Sequence, residues 1–130
     1  MVLQRELLLG WGFVFIAAFL DCFTLYVVKW RANAVGKLDL ESIQQVKEYI
    51  TVFAAHPLVW VAVLTFCMGP MFGYVALTRL ELTAAYPVSI TLHIIFTFLF
   101  GIALLNEPLT PNKCLGLLVM AAGLYFFFKQ

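Results

Sequence analysis

The sequence predicts an all-α membrane protein with four transmembrane helices and an amphipathic surface helix in the first connection. Three observations point there. Hydrophobic residues make up 64% of the 130-residue chain and charged residues only 12%, about half of the roughly 25% usual in a soluble domain. A chain this short has no interior large enough to hide that surface from water, whereas lipid solvates it directly. The apolar residues also form four continuous runs near the roughly 20-residue length of a spanning helix. They do not alternate as barrel strands do.

The first run covers about residues 7–28. Arg5 precedes it, as in a signal peptide, but it is of spanning length and leads into Asp21 and Lys29 with no small-residue cleavage pattern. It is read as a retained first helix. The second run, 57–77, opens at Pro57 and closes at the tight turn Thr78-Arg79-Leu80-Glu81-Leu82. The third, 83–105, ends at Asn106-Glu107-Pro108-Leu109-Thr110-Pro111, where two prolines stop one helix and start the next. The fourth, 113–128, is the shortest. Within the long first connection, at about 39–54, Leu40, Ile43, Ile50 and Phe53 recur at helical spacing. Asp39, Glu41, Gln44, Gln45 and Glu48 occupy other faces. That pattern fits a helix lying on the membrane surface, or a water-exposed helix packed on a neighbouring subunit. All of residues 1–130 read as one domain.

Net charge is +1, so nothing points to nucleic acid. Cys22, Cys67 and Cys114 lie in or beside apolar runs; their odd number and spacing argue against disulfides or a metal site. There is no phosphate-binding glycine loop, His/Cys cluster or nucleophile elbow. Neither an enzyme nor a cofactor is expected. With four spans, Arg5, Arg79 and Lys129 share the side of the termini. Lys29, Arg31, Lys37, Lys47 and Lys113 lie on the other. The positive-inside rule then slightly favours termini outside the cytoplasm.

Ionisable groups inside a span are costly and need a partner or a task. Asp21 lies deep in the first span, in a setting that favours the uncharged form of a carboxyl. It is a candidate proton carrier or counter-ion. The bland alternative is an acid paired with a lysine or a backbone donor. Lys29 is about 12 Å further along the axis, too far to pair directly. In the third span Tyr86, Ser89, His93 and Thr97 step by three, four and four residues and share one face. Such a stripe lines a cavity or packs on another helix. Pro87 loosens the first turns there. Glu107 either meets a cationic substrate group or caps the next helix. Gly69 and Gly73 form a G-x-x-x-G step, and Gly116 and Gly123 lie seven apart; both patterns let helices approach closely, the second as a dimer seam.

These motifs together resemble the drug/metabolite transporter superfamily in its minimal four-helix form. Thr83-Ala84-Ala85-Tyr86-Pro87-Val88 and Asn106-Glu107-Pro108-Leu109-Thr110-Pro111 are similar to stretches of the small EamA-like proteins, including the small subunits of the undecaprenyl phosphate-aminoarabinose flippase. Asp21, eight residues before Lys29, resembles the membrane glutamate of the small multidrug resistance proteins, although here it is Asp. Tyr86 matches their cavity tyrosine, and Ser89 replaces their cavity tryptophan. The resemblance implies a multi-pass transporter of the bacterial cytoplasmic membrane. It would be a homodimer, or a heterodimer with a paralogous small subunit. Asp21, Tyr86, Ser89, His93 and Glu107 would serve a lipid-linked substrate or, alternatively, a small organic cation exchanged for protons. A third reading is a non-transporting subunit of a larger membrane complex.

Overall fold

The computed structural model describes residues 2–38 and 42–129. Among them the chain forms five α-helices and no strand: α1 (Val2–Val35), α2 (Ile43–Ala54), α3 (Pro57–Leu77), α4 (Leu82–Ala103) and α5 (Pro111–Phe128). Among the described residues, three helices are long and apolar enough to cross a membrane, namely α1 over Gln4–Val35, α3 and α4.

α1 is longer than expected. Its 34 residues rise about 50 Å, well beyond the roughly 30 Å of a bilayer core. The polar stretch after residue 28 continues the helix to Val35. Gly36 ends it with φ at 100°, a left-handed conformation that glycine adopts without steric cost, and its N–H bonds Ala32 O at 2.9 Å. α2 starts where Ser42 Oγ accepts from Gln44 N at 3.2 Å, an ordinary N-cap. The first residues expected in this helix, Asp39, Leu40 and Glu41, lie outside the described residues. At its other end the Arg31 guanidinium donates to Val52 O at 2.5 Å and Phe53 O at 3.4 Å, placing a cation on the negative end of the helix. His56 Nδ1 then accepts from Leu58 N, and Pro57 occupies the first turn of α3, where its missing N–H costs nothing.

α1 is the centre of the fold. α3 packs antiparallel along one side and α4 parallel along another, as their contacts show. Along α3 the partners descend in number: Glu6 pairs with Arg79, Phe13 stacks on Phe72 at 5.9 Å and Thr24 bonds Thr65 at 2.7 Å. Along α4 they ascend: Phe15 meets Phe96 at 5.1 Å, and Tyr26 meets Phe100 at 5.9 Å. Many of the buried residues are small, Ala17, Ala18 and Cys22 on α1, Ala62, Gly69 and Ala76 on α3, Ala85 and Gly101 on α4, joined by Val14, Val27, Val59 and Leu80. Small side chains let helix axes approach. Gly10 is a case in point, since an added Cβ would lie 2.8 Å from Leu80 Cγ. Among the described residues α5 contacts only α4.

Candidate functional site

Asp21 and His93 meet across the α1–α4 contact. Asp21 Oδ2 lies 3.2 Å from His93 Nε2, with each side chain 33% exposed. His93 and Gly69 both sit near the midpoints of their helices, so the pair lies at mid-depth in the bundle. His93 Nδ1 lies 2.7 Å from Ser89 O. A carbonyl only accepts, so Nδ1 carries a hydrogen and donates it there. That leaves Nε2 to settle the protonation of the pair. A bare Nε2 opposite a carboxylate would set two acceptors against each other. The contact is satisfied by one proton between them, as Asp21 carboxylic acid against neutral imidazole or as carboxylate against imidazolium.

The third wall is Gly69 on α3. A Cβ at that position would lie 2.9 Å from Asp21 Cγ and closer still to Oδ1. The bare glycine face is therefore the room into which the Asp21 carboxyl fits. Beside it, Cys22 Sγ donates to His93 O at 3.3 Å and lies 3.5 Å from Thr97 Oγ1. One turn further, Thr24 Oγ1 reaches Thr65 Oγ1 at 2.7 Å and Leu20 O at 3.0 Å. Among the described residues no buried polar side chain lacks a partner, and no group of His, Cys, Asp and Glu is arranged to hold a metal.

From Cys22 and Thr97 a groove of about 360 Å³ runs between α1 and α4 to Lys29 and Glu107. Leu25, Tyr26, Phe100 and Leu105 make its apolar walls. Glu107 arrives there through the backbone. After α4, Asn106 takes φ 53°, a conformation asparagine tolerates, and Glu107 N turns back to bond Gly101 O at 2.9 Å. With the left-handed Asn106 at the end of the helix, this bond turns the chain back over its last turn. The Glu107 carboxylate then lies over Gly101, where a Cβ would sit 3.2 Å from Oε2.

The structure thus brings Asp21, Ser89 and His93 together and places Glu107 at the far end of the adjoining groove. Tyr86 stands apart: it is 62% exposed and is not among the groove-lining residues. Of Tyr86, Ser89, His93 and Thr97, Thr97 alone is among the groove-lining residues, while His93 and Ser89 meet on the Asp21 side through the Nδ1–Ser89 O contact. Of the glycines, Gly69 packs inside the chain against Asp21, while a Cβ at Gly73, Gly116 or Gly123 would meet nothing within 4 Å. Two contributors were missed from the sequence, Lys29 and Gly101. Lys29 was legible: Cys22, Leu25, Tyr26 and Lys29 follow an i, i+3, i+4, i+7 pattern and therefore share a face. Comparison with family models, with curated proteins and with solved structures gives no match.

Proposed function

We propose that the protein is a small transporter of the drug/metabolite transporter type in the cytoplasmic membrane of a bacterium. It moves an amphipathic or lipid-linked substrate, such as a polyprenyl-phosphate sugar, along the α1–α4 interface. The observation that carries this reading is the groove itself: apolar walls between two long apolar helices, ionic groups at one end and the Asp21–His93 pair just beyond the other. A polar headgroup would travel past these groups while its tail stayed in lipid. In this reading α5 is the fourth span, since its 18 residues rise about 27 Å. α2 lies on the membrane surface with Ile43 and Ile50, both exposed, turned to lipid. A dimer, homomeric or with a paralogous subunit, would cover α5, which touches only α4 within the chain. Reconstituted liposomes provide the test. Transbilayer movement of a polyprenyl-phosphate sugar that disappears in the Gly101→Leu variant is expected. No movement of any such substrate by the wild-type protein, with or without a partner subunit, overturns the reading.

A second reading, proton-coupled export of a small organic cation, is favoured by the one-proton geometry of Asp21 and His93. A cation taking the place of that proton would leave the site's charge unchanged, so the two would occupy it alternately. The expected result is proton release on addition of tetraphenylphosphonium to wild-type protein in detergent, absent in Asp21→Asn. Unchanged release in Asp21→Asn would exclude the pair as the exchange site.

A further inference from the structure

We infer that the α3–α4 turn is a gate. Leu80 plugs the junction of α1, α3 and α4 on one side of the Asp21–His93 pair, and the Arg79–Glu6 ion pair latches the plug. This rests on the reading of the groove as a substrate path and adds which end of that path is shut, and by what. The plug lies directly on the site. Val14 is seven residues before Asp21 on α1, and Ala76 is seven after Gly69 on α3. Seven residues make two helical turns, so each pair shares a face, about 10 Å apart along its axis. On α4, Ala85 stands eight residues before His93. Val14, Ala76, Leu80 and Ala85 form one buried cluster, at 4%, 1%, 8% and 2% exposure. The layer two turns from the pair, toward the start of α1, is therefore closed and apolar. In the opposite direction Leu25, Val28 and Lys29 line the open groove.

Leu80 differs from the other three members of the cluster, because it belongs to the turn and not to a helix. It is seated on α1 at Gly10, where a Cβ would lie 2.8 Å from its Cγ. Beside it, Arg79 pairs with Glu6, and its guanidinium lies 5.7 Å from the centre of the Phe13 ring. All three contacts run from the turn to α1. α3 and α4 touch each other far less than either touches α1, so these contacts are the turn's main hold on the bundle. The Arg79 and Glu6 side chains are 30% and 48% exposed. An ion pair that exposed contributes little stability, which suits a latch that has to open. A plug on a short turn, seated on a bare glycine and held by a weak pair, can leave without unpacking a helix.

The test is the rate of thiol modification of the full chain in nanodiscs, where a water-soluble methanethiosulfonate reaches both faces. Cys22, Cys67 and Cys114 are replaced by alanine. One reporter is then introduced at a time, Val14→Cys in the plug or Thr97→Cys in the groove. With the latch intact, the groove reporter is expected to react at least about tenfold faster, since it alone lines an open space. Arg79→Gln is expected to raise the rate at position 14 about fivefold, the scale of one partly exposed ion pair. It also lowers the rate at position 97, because alternating access closes one end of a path as the other opens. Leu80→Ala moves both rates the same way and further. Exchanging the charges, Glu6→Arg with Arg79→Glu, restores both. A rise at position 14 without a fall at position 97 is a loosened core and overturns the inference. Rates unmoved by both Arg79→Gln and Leu80→Ala, or equal rates at the two reporters with the latch intact, overturn it as well. The readout involves no transport, so the two ideas fail separately. Opposed rates in a protein that moves no substrate keep the gate and remove the substrate path. Transport with rates that rise together keeps the path and removes this gate.

Discussion

The two sides of α1 are built on opposite principles. Its contact with α3 relies on small residues and hydroxyls, beside one Phe13–Phe72 stack: Gly69 receives Asp21, Ala76 packs with Val14, and Thr24 bonds Ala62 O and Thr65. Its contact with α4 is a seam of rings. Phe15, Phe19, Phe96 and Phe100 interlock at centroid distances of 5.1–5.8 Å, mostly edge to face, the arrangement aromatic quadrupoles favour. Small residues pack backbone against backbone and leave no space. Bulky rings hold helices further apart, and the groove opens at the last ring pair, Tyr26 and Phe100, which form part of its walls. Function is therefore expected on the α4 side. The α3 side contributes one shaped surface, the bare Gly69 on which Asp21 rests.

The sharpest way to break that division is to fill the small-residue seam at its one functional point. Gly69→Val places atoms where the Asp21 carboxyl lies and is expected to cost about 3 kcal/mol, the upper range for overpacking. A denaturation series in detergent measures it. Combining Gly69→Ala with Asp21→Ala should recover most of the loss seen in Gly69→Ala alone, because the collision is with Asp21; simple additivity would show that the cost lies elsewhere.

A somewhat smaller effect is expected from His93→Ala. It strips Asp21 of its partner at mid-depth, where an unpaired carboxylate costs roughly 2.5–3.5 kcal/mol in full hydrocarbon. With a third of the pair exposed, about 2 kcal/mol is expected by the same measurement. Asp21→Asn in the wild-type background should cost less, since the amide can still donate to Nε2. If His93→Ala is silent in stability, the pair is no part of the seam.

On the aromatic side, Phe96→Leu removes edge-to-face contacts with Phe15 and Phe19 and is expected to cost about 1–3 kcal/mol, at roughly 0.5–1.5 kcal/mol for each of the two ring pairs. The smallest effect belongs to Thr24→Val. It keeps the shape and deletes the bond to Thr65, which in lipid is worth about 0.6 kcal/mol on average. A thermal melt that ranked Thr24→Val above Phe96→Leu would invert the picture of which seam is held by polar bonds.

Much of this is legible in the amino-acid sequence itself. The bounds of α3 match the second apolar run, and α4 and α5 differ from theirs by two residues or fewer at each end, because proline, His56 and the Arg79–Glu81 turn are strong local stops. Asp21 and His93 stood out as polar groups in apolar runs. Their meeting was not legible, since they are 72 residues apart and nothing in either run fixes how α1 and α4 turn toward each other. Gly69 illustrates the same gap. As half of a G-x-x-x-G step it reads as a helix-packing residue, which it is, but what packs on it is a carboxyl group, and Gly73 one turn on packs on nothing within the chain.

Local chemistry thus determined where helices begin and end, and which residues are too polar for their surroundings. Hydropathy and helix caps act over a few residues and are written in order along the chain. The tertiary structure alone decided that Asp21, Gly69 and His93 form one site, that His93 carries its Nδ1 hydrogen to Ser89, and that Lys29 and Glu107 share a groove. Those facts depend on how three helices rotate about their own axes. That rotation is set by which small residues let backbones touch and which rings hold them apart, summed over all three helices at once.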